Sequence, residues 1–101
     1  MRLFNDKIEG NTSINEDTQL NGMIVGDTTV LENTMFELNG MIVGNLIIKK
    51  SSTVYLYGTV TRDVVNEGGR LEVFGTVNGK VFRKDGDTLV DSRAIIRYGL
   101  H

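Results

Sequence analysis

Apolar residues fall on a beat of six along this chain. Ile24, Val30, Phe36, Ile42, Ile48, Val54 and Val60 follow one another without a miss. After a one-residue deletion the beat resumes at Val65, Leu71 and Val77, skips at Arg83 and returns at Leu89 and Ile95. The residue four positions on is often small, as at Thr28, Thr34, Gly40, Ser52, Gly58, Gly69 and Gly75. A helix requires apolar positions three and four apart. Six residues instead suit one short strand and a bend, and three such units make a coil of about 18 residues stacked on the next at about 4.8 Å through parallel pairing. Period-2 alternation within a strand then turns Leu20, Gly22 and Ile24 inward and Asn21, Met23 and Val25 outward. Polar and glycine-rich stretches such as Glu67-Gly68-Gly69 and Lys84-Asp85-Gly86-Asp87 mark the turns.

A longer repeat contains this beat. Leu-Asn-Gly-Met-Ile-Val-Gly occurs at residues 20–26 and again, unchanged, at 38–44. The next copies begin at Leu56-Tyr57-Gly58-Thr59-Val60 and Val73-Phe74-Gly75-Thr76-Val77, so Gly22, Gly40, Gly58 and Gly75 share one register. A β-sandwich also supplies strands at short spacing, but it has no reason to repeat side chains in register. The pattern predicts an all-β, single-domain parallel β-solenoid of triangular section, with about 17–18 residues per coil and about five coils. Residues 8–97 form the β-helix domain in this reading, 1–7 an N-terminal cap segment and 98–101 a C-terminal tail.

Composition narrows the function. The chain has 101 residues, 12 glycines, no proline, no cysteine and one histidine, His101. Without cysteine or an internal histidine, disulfides, thiolate metal sites, catalytic triads and His-based zinc centres lose their usual players. Eleven Lys and Arg against thirteen Asp and Glu leave a net charge of −2, a poor footprint for nucleic acid. No apolar run approaches the ~20 residues of a membrane span, and no signal-peptide pattern is present. The expectation is a cytoplasmic protein with no enzyme activity, no cofactor, no metal and no nucleic-acid partner.

The runs Gly40-Met-Ile-Val-Gly-Asn-Leu-Ile-Ile, Gly58-Thr-Val-Thr-Arg-Asp-Val-Val and Gly75-Thr-Val-Asn-Gly-Lys-Val-Phe resemble the G-x-V-x-G-x-V repeat of the bactofilins. The resemblance covers roughly residues 8–97. It implies a right-handed β-helix that polymerises end to end without nucleotide into bacterial cytoskeletal filaments or sheets. The six-residue beat is also similar to that of the left-handed hexapeptide-repeat acyltransferases and γ-type carbonic anhydrases. Those generally use histidines at coil junctions, and this repeat contains none.

Two surfaces stand out. The terminal coils of a solenoid expose unpaired backbone and apolar core. Leu3 and Phe4 at one end, and Ile95, Ile96, Tyr98 and Leu100 at the other, are apolar there, which fits either capping or heterologous end-to-end stacking. On the outside, Met23, Val25, Met41 and Val43 predict an apolar two-by-two patch, and Tyr57 and Phe74 continue the column begun by Asn21 and Asn39; this face fits lateral association or one protein partner. The mixed charges from Lys49 to Lys84 read as a solvated face. Asp85-Gly86-Asp87 lacks the further ligands of a calcium loop. Met1-Arg2-Leu3-Phe4 with Lys7 offers a membrane surface only one short apolar pair. The partner expected is therefore the chain itself. The alternative is an immunity- or antitoxin-like binding protein that neutralises one partner through the Met/Val face.

Overall fold

Corner glycines and alternating strands build a stack of six rungs, and the computed structural model describes all 101 residues. The chain is all-β, without a helix. Rung one holds β1 (Arg2–Phe4), β2 (Lys7–Glu9) and β3 (Thr12–Ile14); rung two holds β4 (Thr18–Leu20), β5 (Met23–Val25) and β6 (Thr28–Val30). Rung three holds β7 (Met35–Leu38), β8 (Met41–Val43) and β9 (Leu46–Ile48). Rung four takes β10 (Thr53–Leu56), β11 (Thr59–Val60) and the start of β12 (Val64–Val73). The rest of β12, then β13 (Thr76–Val77) and the start of β14 (Val81–Val90), make rung five; the rest of β14, β15 (Ile95–Ile96) and Leu100 make rung six. Every pairing between rungs is parallel.

Three inward columns run through all six rungs, and two shorter ones, Ile14-Val30-Ile48-Asn66 and Thr18-Phe36-Val54-Leu71-Thr88, complete the core. Of the long columns, one runs Phe4, Leu20, Leu38, Leu56, Val73, Val90; a second runs Ile8, Ile24, Ile42, Val60, Val77, Ile96. The third runs Thr12, Thr28, Leu46, Val64, Val81, Leu100. Their middle members are fully buried. Each strand is too short to stand alone, so stability comes from stacking one apolar layer on the next.

The corner glycines are demanded by close approach. A Cβ at Gly40 would overlap the carbonyl oxygen of Gly22 in the rung before it, and Gly22 and Gly58 stand in the same relation to Asp6 and Gly40. Asp6 itself occupies this corner of rung one, where no rung lies beneath it. In rung six the corresponding residue is Ala94, reached through the turn in which Ala94 N–H bonds the Asp91 carbonyl.

Several expectations need correction. The stack has six rungs rather than five, because residues 1–7 supply β1 and the start of β2, and the 98–101 segment pairs through Leu100 with Val81. Val65 does not resume the inward beat: it pairs with outward Ile47, while its neighbours Val64 and Asn66 are buried. The deletion lies in the turn after Asn66, since Ile48 pairs with Asn66 at a spacing of 18 but Val54 pairs with Leu71 at 17. Leu89 and Ile95 likewise fall one residue off the core positions, which Val90 and Ile96 occupy.

Candidate functional site

The two ends of the stack differ. At the N-terminal end the interior opens into a hollow of about 330 Å³, lined on the apolar side by Phe4, Ile8, Ile14, Leu20, Ile24 and Phe36. The small inward residues Thr12 and Thr18 leave this space unfilled, so it reaches Phe36 in rung three. Arg2 stands at its rim, with its guanidinium 5.4 Å from the Phe4 ring centre and Nη1 3.3 Å from Glu16 Oε1. The C-terminal end has no such hollow: Ala94 and Ile96 pack against the core there.

Among the residues expected at the ends, Phe4, Ile96 and Leu100 occupy inward columns of the terminal rungs. Leu3 and Ile95 alternate to the outside and are 61% and 58% exposed, so they lie on lateral faces at the ends. Tyr98 is exposed beside the last turn, where its carbonyl is 2.9 Å from His101 Nε2.

The structure places the expected lateral patch together. Met23 lies beside Met41 and Val25 beside Val43 in adjacent parallel strands. Three of the four are only partly covered, and Val43 is 37% exposed. The patch borders a shallow groove lined by Asn5, Asp6, Lys7, Asn21, Gly22 and Gly40, which exists because the corner glycines carry no side chains.

Beside that groove runs a continuous corner column. Asn39 Nδ2 donates to Asn21 Oδ1 at 3.0 Å, and Asn21 Nδ2 donates to Asn5 Oδ1 at 2.9 Å. Tyr57 and Phe74 then stack with ring centres 4.9 Å apart and planes 11° from parallel. Asp91 ends the column, its backbone N–H bonding Val73 O as the Phe74 N–H bonds Leu56 O. The sequence pattern shows Asn21, Asn39, Tyr57 and Phe74 in one register. It misses Asn5, which lies 16 residues before Asn21, and Asp91, which is followed by Ser92-Arg93-Ala94 in place of a corner glycine.

Two further features escape the pattern. A second ladder runs along another corner: the Oδ1 atoms of Asn11, Asp27, Asn45 and Asp63 accept the backbone N–H groups of Asp27, Asn45, Asp63 and Lys80, respectively. On the face beyond it, Ile47, Val65 and Phe82 form an outward apolar strip ending at His101, whose ring centre is 5.6 Å from that of Phe82.

The charged residues form isolated pairs. Lys49 Nζ lies 2.8 Å from Glu67 Oε1, and Arg93 Nε lies 2.9 Å from Asp91 Oδ2. The hydrogen bond and charge of Glu67 raise the Lys49 pKa, and the Arg93 side chain lowers that of Asp91. Asp85 accepts the Gly86 N–H, and no group of three or more His, Asp or Glu side chains is placed to hold a metal. No helix is long and apolar enough to cross a membrane. Comparison with known proteins returned no match: no family model, curated protein or solved structure matches the chain.

Proposed function

We propose that this chain is a structural self-assembling protein of the bactofilin kind, stacking end to end without nucleotide and acting in the cytoplasm. The observation that carries the reading is the pair of open terminal rungs. Each pairs on one side only, and each presents apolar inward residues, Phe4 and Ile8 at one end and Ile96 and Leu100 at the other. Unpaired strand edges are sites for addition of another chain. Three open edges around one apolar interior give a second solenoid both hydrogen-bonding groups and core to stack on. The repeated rungs supply rigidity along the axis.

Negative-stain electron microscopy of the purified protein at micromolar concentration tests this. Filaments or ribbons are expected from the wild type. Phe4→Glu and Ile96→Glu should remain folded by circular dichroism and fail to polymerise. Filaments from both variants would sink the end-to-end idea. The adjacent Met23, Met41, Val25 and Val43 favour a second reading, a small non-enzymatic binding protein of the immunity or antitoxin type. Discrete particles at every concentration, with partner capture abolished in a Met23→Glu/Met41→Glu variant, would support that reading.

A further inference from the structure

We infer that Asn78 is a site of spontaneous covalent modification: in the folded chain its side-chain amide is lost through attack by the Gly79 backbone nitrogen, while the other two Asn-Gly pairs are held unreactive.

The chain contains three such pairs, Asn21-Gly22, Asn39-Gly40 and Asn78-Gly79. The pair is reactive because glycine has no Cβ to shield its amide nitrogen from the asparagine Cγ one residue back. A solenoid corner demands the glycine in any case: a Cβ at Gly79 would overlap Asp63 Oδ1 and the Arg62 carbonyl of the rung below. Reaction then needs a glycine nitrogen free of hydrogen bonds and an asparagine side chain free to turn onto it.

The first two pairs meet neither condition. Gly22 N–H bonds the Phe4 carbonyl at 3.2 Å, and Gly40 N–H bonds the Leu20 carbonyl at 3.0 Å. Their asparagines are tied into the corner column, where Asn21 Nδ2 donates to Asn5 and Asn39 Nδ2 donates to Asn21 and Glu37.

Gly79 differs because of the rung above it. Gly10, Gly26, Gly44 and Gly79 each lie two residues beyond the same inward column, at one corner. At the first three the N–H is bonded to the rung above, by the Val25 carbonyl, the Val43 carbonyl and the Thr61 hydroxyl. The residue in that place above Gly79 is Arg97. Its guanidinium can only donate, and its carbonyl does not accept the Gly79 N–H, which is left without a partner. Asn78 likewise stands outside both corner ladders, and its side-chain amide makes no hydrogen bond. Exposure runs the other way, since Asn21 and Asn39 are exposed and Asn78 is half-buried. Hydrogen bonding and accessibility therefore predict opposite orders of reaction.

In the step itself the Gly79 nitrogen forms a bond to Asn78 Cγ, the Cγ–Nδ2 bond breaks, and ammonia leaves with the Gly79 amide proton. Water then opens the cyclic imide at either carbonyl, giving aspartate or isoaspartate. Isoaspartate carries an extra methylene in the main chain. Asn78 N–H bonds the Val60 carbonyl and the Gly79 carbonyl accepts the Tyr98 N–H, so the added length disturbs the contacts that join rungs four, five and six at this corner.

The full chain is held in warm, mildly alkaline buffer with and without denaturant, and the three pairs are followed by peptide mass spectrometry. In the folded protein Asn78 should convert at least about tenfold faster than Asn21 or Asn39, whose hydrogen bonds must open first. In denaturant the three rates should converge to within about threefold, because no native hydrogen bond then distinguishes them. Equal rates in the folded protein, faster conversion at Asn21 or Asn39, no conversion at Asn78, or an Asn78 lead that survives in denaturant would each overturn the assignment. Aged wild type should also melt lower than fresh protein, whereas Asn78→Gln, whose longer side chain does not close this ring, should hold its melting temperature. Equal losses in the two, or no loss in converted wild type, would overturn the loosening of the corner.

Discussion

Rungs one to three and rungs four to six solve the same problem in different ways. In the first half each rung turns through separate strands of three or four residues, and asparagines bonded to one another hold one corner. In the second half β12 and β14 each run for ten residues around a corner, and their pairing shifts register between Asn66 and Arg70. The turn there is one residue shorter than its counterpart at Lys49–Ser52, which explains the change from a spacing of 18 to 17. A rung that loses a corner residue needs another way to satisfy its backbone. Asn66 supplies it from inside: Oδ1 accepts the Gly68 and Gly69 N–H groups, and Nδ2 donates to Gly69 O, Asp87 O and Thr88 Oγ1. The comparison teaches that the solenoid tolerates changes in coil length where a buried side chain takes over the lost backbone contacts.

The largest expected effect separates the halves at this position. Asn66 is the register partner of Ile48, and both are fully buried. Asn66→Val should cost about 3 kcal/mol or more, because it leaves several buried backbone groups unsatisfied. Ile48→Val removes one methylene and should cost about 1 kcal/mol. In a chain of this size the first should lower Tm by more than about 12 °C and the second by about 4–8 °C. Equal melting shifts for the two variants, by calorimetry, would mean that the amide does not hold the shorter turn.

The same contrast decides what the sequence reveals. Corner glycines advertise the inner rungs because a neighbouring carbonyl sits where their Cβ would be, so the register of Gly22, Gly40, Gly58 and Gly75 carries the fold. The end rungs escape detection for the same reason: Asp6 has no rung beneath it, and Ala94 follows a widened turn. Around Asn66 the apolar beat misleads, since a polar residue occupies an inward position and outward Val65 imitates the missing apolar one. The lateral patch is legible because alternation within a strand fixes which residues face out. The hollow is not, because it depends on how Thr12 and Thr18 fill a volume that only the assembled rungs define.

A smaller effect probes the column that joins the halves. Tyr57 is where hydrogen-bonded asparagines give way to stacked aromatics. Tyr57→Asn exchanges a stack for a further amide. The stack is worth about 0.5–1.5 kcal/mol and a hydrogen bond about 0.5–1.5 kcal/mol, so the net change should stay within about 1 kcal/mol. Phe74→Ala breaks the stack and adds no amide, and it should melt lower than Tyr57→Asn. The reverse order would show that the two halves of this column are not interchangeable.

The smallest effect concerns the ion pair that crosses between rungs three and four. Lys49 and Glu67 are both more than a third exposed, so solvent and salt screen their attraction. The Glu67 hydrogen bond, and then its charge, raise the Lys49 pKa above its ordinary 10.5. The Lys49 contribution is therefore present below that value and is lost as pH rises through the higher folded-state pKa. Asp91 behaves oppositely. Its pKa lies below 3.8, chiefly through the Arg93 hydrogen bond, so its contribution is present above 3.8 and is lost as pH falls through the lower folded-state pKa. Lys49→Met should thus depress Tm slightly at neutral pH and low salt, with the difference closing at high salt and above the Lys49 pKa. Asp91→Asn should show its difference from wild type at neutral pH, closing on the acid side. A Lys49→Met difference that persists unchanged in high salt would assign the effect to packing of the lysine stem between rungs rather than to the charge that links the two halves.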